Sequence, residues 1–73
     1  MKTRKYLYRV NRKEICYIQA ILEGYDGLAT MSTLNPGEAI IEIAVSPGRE
    51  NELEMLIYNL GLNGMRFHKV MIP

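Results

Sequence analysis

Two hydrophobic periods alternate along this chain, and their order leaves few folds open. Runs with a period of two and runs with helical spacing follow one another as strand, helix, strand, strand, helix, strand. Tyr6 to Val10 is rich in strand formers, with Tyr6, Tyr8 and Val10 on one face and Leu7 and Arg9 on the other. Asn11-Arg12-Lys13-Glu14 reads as a helix start, with Asn11 as cap and Glu14 reaching back to it. Ile15, Ile18, Leu22 and Tyr25 follow at helical spacing, widened by Ile21, and Gly24 or Gly27 ends the helix. Leu28 to Leu34 is a second, more polar strand, and Asn35-Pro36-Gly37-Glu38 a tight turn in which glycine takes a positive φ.

Ala39 to Val45 is the most apolar strand, with Glu42 its only charge. Ser46-Pro47 predicts the second helix start, serine as cap and proline at the first position. Leu53, Leu56, Ile57 and Leu60 give its apolar stripe, Gly61 closes it, and Leu62 is expected to pack back on the cap. Met65 to Ile72 is the last strand, marked as an edge by Arg66, His68 and Lys69. The βαββαβ order predicts an α+β, ferredoxin-like sandwich: an antiparallel sheet in the order 4-1-3-2, with both helices on one face. Ile41, Ile43 and Val45 then face the helices, and Ile40, Glu42 and Ala44 the open side, where Arg9 is in reach of Glu42.

The 73 residues are too few for more than one domain, 1–73, which is marginal alone. One cysteine, Cys16, excludes an internal disulfide and any paired-thiol metal site. A homo-oligomer is the remaining source of stability, and the open face with Leu7, Ile40 and Ala44 is the expected dimer interface. The lone thiol suggests a reducing compartment, and no apolar run reaches the roughly 20 residues of a membrane span. The expectation is a cytoplasmic protein with no membrane partner.

The net charge is +1, yet six of the nine basic residues fall in the first thirteen, from Lys2 to Lys13. That end of the chain is either a solvated turn or an anion-facing surface. An iron–sulfur ferredoxin needs four thiolates, so no cofactor of that kind is expected. An RNA-recognition sheet stacks bases on aromatics of its first and third strands, and Ala39 to Val45 has none, so nucleic acid is not an expected partner. His68, the only histidine, lacks a nucleophile or carboxylate beside it in the sequence and reads as a surface residue. Cys16 reads as a small packed side chain.

Glu23-Gly24-Tyr25-Asp26-Gly27 is the densest cluster of special residues. It reads first as a helix C-terminal turn. Glu23 near a helix C-terminus is electrostatically unfavourable, which points to a partner such as Arg9 or Arg66, or to a site that includes Asp26. The other candidate is Asn11-Arg12-Lys13, where free N–H groups and two cations suit an anion.

The segment Ile21-Leu22-Glu23-Gly24-Tyr25-Asp26-Gly27-Leu28-Ala29, with Thr33-Leu34 and Glu52-Leu53-Glu54-Met55-Leu56, resembles a family of short bacterial proteins known only as a domain of unknown function. More distantly the pattern is similar to an ACT domain, a ferredoxin-like module that binds amino acids and regulates enzymes. The likeness implies a pair of domains with ligand held between the first loop and helix of one copy and a strand of the other. Asn11, Arg12, Thr30 and Ser32 occupy those places, although the loop here lacks the proline–glycine pair common in ACT domains.

Three functional readings follow. The first is a stand-alone, non-enzymatic ACT-like module, a dimer that binds a small anion such as an amino acid through Asn11, Arg12, Thr30 and Ser32, with Glu23 and Asp26 as further candidates. The second is a module that docks on a partner enzyme with no small-molecule ligand. The third is a small enzyme using His68 or Glu23, which requires either residue in a concave site beside a second polar group.

Overall fold

A computed structural model describes residues 4–70 of the chain. The strands are β1 (Arg4–Arg9), β2 (Ala29–Asn35), β3 (Ile40–Val45) and β4 (His68–Lys69); the helices are α1 (Ile15–Glu23) and α2 (Glu50–Leu62). All pairings are antiparallel, in the order β2-β3-β1-β4, which is the expected 4-1-3-2 read from the other edge. Both helices bury residues against one sheet face: Ile18 and Leu22 of α1 and Leu53 of α2 share a core with Tyr8, Ile41, Ile43 and Val45. This is the ferredoxin-like α+β arrangement.

The register explains why β3 is the most apolar strand. It lies between two neighbours, with Ile43 opposite both Tyr6 and Met31, and Ile41 opposite both Tyr8 and Thr33. Ile41, Ile43 and Val45 are fully buried, while Ile40, Glu42 and Ala44 on the other side are half-buried. Glu42 stands between Leu7 and Ser32, and Arg9 is opposite Ile40, so the expected Arg9–Glu42 pair does not form. Arg9 instead reaches Glu38 in the β2–β3 turn at 3.5 Å. Tyr6 and Tyr8 lie on the helix side. Tyr8 packs edge-on against Phe67, ring centroids 5.8 Å apart, and Lys69 lies 5.3 Å over the Tyr6 ring.

The start of α1 is close to the expectation. Asn11 Oδ1 accepts the Lys13 N–H at 3.1 Å. The first turn, Arg12–Glu14, is a 3-10 turn, and the Glu14 side chain returns no hydrogen bond to the cap, so the reciprocal half of the capping box is missing. Tyr25 lies beyond the helix end and is exposed rather than part of the buried stripe, and Cys16 is exposed rather than packed. Leu28, expected to open β2, sits fully buried in the preceding turn.

Three boundaries move because a left-handed residue falls where the sequence did not mark it. The β2–β3 turn places its positive φ on Ala39 (56°), not on Gly37, so Ala39 closes the turn instead of opening β3. A register shift between Thr33 and Asn35 leaves Leu34 outside the ladder. Gly48 has φ +84°, which an α-helix cannot absorb, so α2 starts at Glu50 and Ser46-Pro47 forms a turn before it. At the far end α2 runs through Gly61. Its stop is Gly64, φ +97°, with the Met65 N–H on the Leu60 carbonyl and the Gly64 N–H on the Gly61 carbonyl, both 3.1 Å. Met65, not Leu62, supplies the buried apolar residue of that cap. The expected last strand is shorter than Met65–Ile72: residues 65–67 are irregular, His68–Lys69 pairs with β1, and residues 71 and 72 lie outside the described residues.

Leu53 is the one fully buried residue of α2, so Leu53→Ala is expected to cost about 2–5 kcal/mol, read as a lower urea midpoint with an unchanged slope. Burial first, then the charges of Tyr6 and Glu54, raise the Tyr8 pKa above its ordinary 10.0. A raised folded-state pKa means stability is full below pH 10.0 and is lost as the pH rises towards the folded value. Tyr8→Phe is expected to flatten that alkaline loss, measured by denaturation at pH 9 and at pH 11.

Candidate functional site

The six residues singled out by sequence do not meet in one protomer. β1 runs from Arg4 to Arg9 and α1 returns beside it, so Asn11 and Arg12 lie at one end of the sheet and Glu23 and Asp26 at the other. The six residues of β1 span about 17 Å at 3.3–3.4 Å each. Thr30 is at the Glu23 end, opposite Ala44, and Ser32 is mid-strand, opposite Glu42. Arg9 is at the Asn11 end, and Arg66 joins it there, so neither is placed to answer Glu23.

At the Glu23 end, the α1–β2 loop is clamped by the segment that precedes α2. The Ser46 hydroxyl donates to the Gly27 carbonyl, and the Ser46 N–H to the Leu28 carbonyl at 2.9 Å. Arg49 Nη1 donates to the Asp26 carbonyl at 2.7 Å. Its Nε and Nη2 hold both oxygens of Glu52 at 3.0 and 2.9 Å, a bidentate fork that fixes the guanidinium plane. That hydrogen bond lowers the Glu52 pKa from its ordinary 4.5 and raises that of Arg49. Gly27, at φ +70°, takes the left-handed turn. Beside this loop an open hollow of about 470 Å³ is lined by Lys5, Glu23, Tyr25, Asp26, Thr30 and Ser46 among others.

At the other end, Arg9, Val10, Asn11, Glu14, Gly64, Arg66 and His68 line a cleft of about 310 Å³. Three elements build it. β1 supplies Arg9, and the cap of α1 supplies Asn11 and Glu14. The residues after α2 supply Arg66 and His68, which the sheet order brings beside β1, with His68 opposite Arg9. Among the described residues Arg66 has no carboxylate within 4.0 Å, and Arg9 has only the 3.5 Å contact with Glu38. Two guanidiniums and an imidazole thus share a cleft with one amide and one carboxylate. Arg12 lines a separate shallow hollow with Ile15, Pro36 and Gly37, and its Nη2 donates to the Gly37 carbonyl at 3.0 Å. It therefore ties the β2–β3 turn to α1.

His68 shares a concave site with other polar groups, but among the described residues no hydrogen bond orients its ring. No cluster of three potential metal ligands occurs among the described residues, and no helix there is long and apolar enough to cross a membrane. The open sheet face shows Lys5, Leu7, Arg9, Ile40, Glu42 and Ala44; Tyr6 and Tyr8 point to the helices, so that face lacks the aromatic platform of an RNA-recognition sheet. Sequence reading missed the Arg9–Arg66–His68 grouping. Its signal was the strand order, which sets the last strand beside the first and sums their charges at one end.

Fold and clefts together define a small α+β domain of ferredoxin-like topology with a cation-rich cleft at one end of its sheet. The chain belongs to the family described as Domain of unknown function (DUF4911), which matches residues 8–63. No curated protein and no solved structure matches it significantly.

Glu52 has a depressed folded-state pKa, so its contribution is present above pH 4.5 and is lost as the pH falls. Acidification, or Arg49→Lys, which cannot form the fork, is expected to speed amide exchange of Leu28 and Ser46, the N–H groups that close the 23–28 loop. Exchange at Ile41 and Ile43 in the sheet centre is expected to change far less.

Proposed function

We propose that the chain is a non-catalytic binding module that works as a dimer and takes up a small anion such as an amino acid in a regulatory role. The observation that carries this reading is the cleft lined by Arg9, Asn11, Glu14, Arg66 and His68. Arg66 and His68 would take a carboxylate and Glu14 an ammonium, the two charged ends of a free amino acid. Asn11 would add a neutral hydrogen bond. Thr30, Ser32, Glu23 and Asp26 are left out, because they lie away from this cleft in the protomer. Arg12 acts as a strut for the turn. The likeness to ACT domains in element order supports the same class of ligand.

The test is a thermal-shift screen of the purified protein against the amino acids and common anionic metabolites. A ligand at about 100 times its dissociation constant adds about 2.7 kcal/mol, a rise of about 10 °C or more for a domain this small. Arg66→Ala is expected to remove the response while leaving the unliganded melting temperature within about 3 °C, since Arg66 has no carboxylate partner among the described residues. A screen with no response would overturn the ligand and favour the second reading, a docking module for a partner enzyme. The observation behind that alternative is the exposure of Met55, Tyr58 and Leu62 on α2.

A further inference from the structure

A neutral amino acid in the cation-rich cleft would leave one cation without a partner. Arg66 and His68 would take its carboxylate and Glu14 its ammonium, but Arg9 lines the same cleft. Two guanidiniums there face one carboxylate, so positive charge is in surplus even before His68 is counted. A ligand whose own charges cancel does not answer that surplus.

Arg9 is placed to act with the other two cations. It lies directly opposite His68 on paired strands, which sets their Cβ atoms about 4.5–5.5 Å apart on one side of the sheet. Arg66 is two residues before His68. The one carboxylate contact of Arg9 among the described residues, with Glu38, is long at 3.5 Å, and both side chains are more than half exposed. Such a pair is worth little. Glu38 also accepts from Asn35 Nδ2 at 3.0 Å, so it keeps a partner when Arg9 turns away. Glu14 is half-buried and has no ion pair within 4.0 Å among the described residues. Asn11 spends its Oδ1 on the Lys13 N–H, which leaves its amide N–H groups as donors.

We infer that the ligand of this cleft is an acidic amino acid, one with a second carboxylate on its side chain. The inference rests on the binding reading above and names its ligand class. Arg66 and His68 hold one carboxylate, Arg9 holds the other, and Glu14 takes the ammonium, with Asn11 as a neutral donor. The charges then balance, because such a ligand carries one more negative group than positive and the cleft's guanidiniums outnumber its carboxylate by one. Glu14 decides against the simpler anions. Inorganic phosphate, or a dicarboxylate without an amine, would answer the cations but set a negative charge against a carboxylate that has no cation of its own.

The experiment is isothermal titration calorimetry of the full chain at neutral pH, with circular dichroism to verify folding. The probes are free glutamate, aspartate, glutamine, asparagine, glutarate and inorganic phosphate. Glutamate or aspartate is expected to bind about tenfold or more tighter than its own amide, which keeps the shape and loses the charge. Arg9→Gln is expected to bring acid and amide to within about threefold of each other. Glu14→Gln is expected to erase the preference for glutamate over glutarate, which keeps both carboxylates and lacks the amine. Equal binding of acid and amide by the wild type overturns the acidic class and leaves the amino-acid reading in place. Glutarate or phosphate bound as tightly as glutamate overturns the role of Glu14, and the inference with it. A preference that survives Arg9→Gln overturns the assignment of the second carboxylate to Arg9. A wild type that binds none of the six probes overturns the inference, and the broader thermal-shift screen then decides the binding reading separately.

Discussion

Every other feature of this domain hangs on the double-sided pairing of β3. Ile41, Ile43 and Val45 reach zero exposure only because β1 and β2 flank the strand and both helices cover one side of it. Those three residues form the floor on which Ile18, Leu22, Leu28 and Leu53 rest. Burial at roughly 25 cal/mol per Å² makes this floor the main source of cohesion in so short a chain. The clefts at the two ends of the sheet are rims of the same floor: the strands stop there, and loops, caps and long charged side chains take over.

Much of that frame was legible in the sequence. Element order, sheet order, the inward face of β3 and the Asn11 cap all follow from periodicity and capping chemistry, because they depend on neighbours along the chain or on one buried face. The boundaries set by left-handed residues were not. Gly37, Gly61 and the pair Ser46-Pro47 each offered local turn or cap chemistry, yet Ala39, Gly64 and Gly48 took the positive φ. A turn's conformation depends on where the flanking strands and helices must point, which the residue type alone does not state. Ser46 shows the same limit: its hydroxyl is spent on the Gly27 carbonyl across the fold rather than on its own helix.

The candidate site was half legible for a similar reason. Asn11 was found because a cap is local. Arg66 and His68 were read as edge markers, and their convergence with Arg9 exists only after β4 docks on β1. Arg12 and Arg49 show how the fold spends its cations. One guanidinium holds a turn carbonyl and the other closes a loop through a carbonyl and a carboxylate, so charge that looked free in the sequence is committed to structure.

The short β4 gives the cation-rich cleft a property of its own. Within the described residues that strand is tied to β1 by the pairs Tyr8↔Lys69 and Arg9↔His68, by the Val70 N–H on the Leu7 carbonyl at 2.9 Å, and by the rings of Tyr8 and Phe67. It is the shortest strand among the described residues, and one wall of the cleft stands on it. β4 pairs with β1 alone, so loss of those contacts would remove that wall while leaving the β3 pairings in place. Order at this one edge of the sheet, rather than the cohesion of the core, therefore sets whether the cleft keeps its shape.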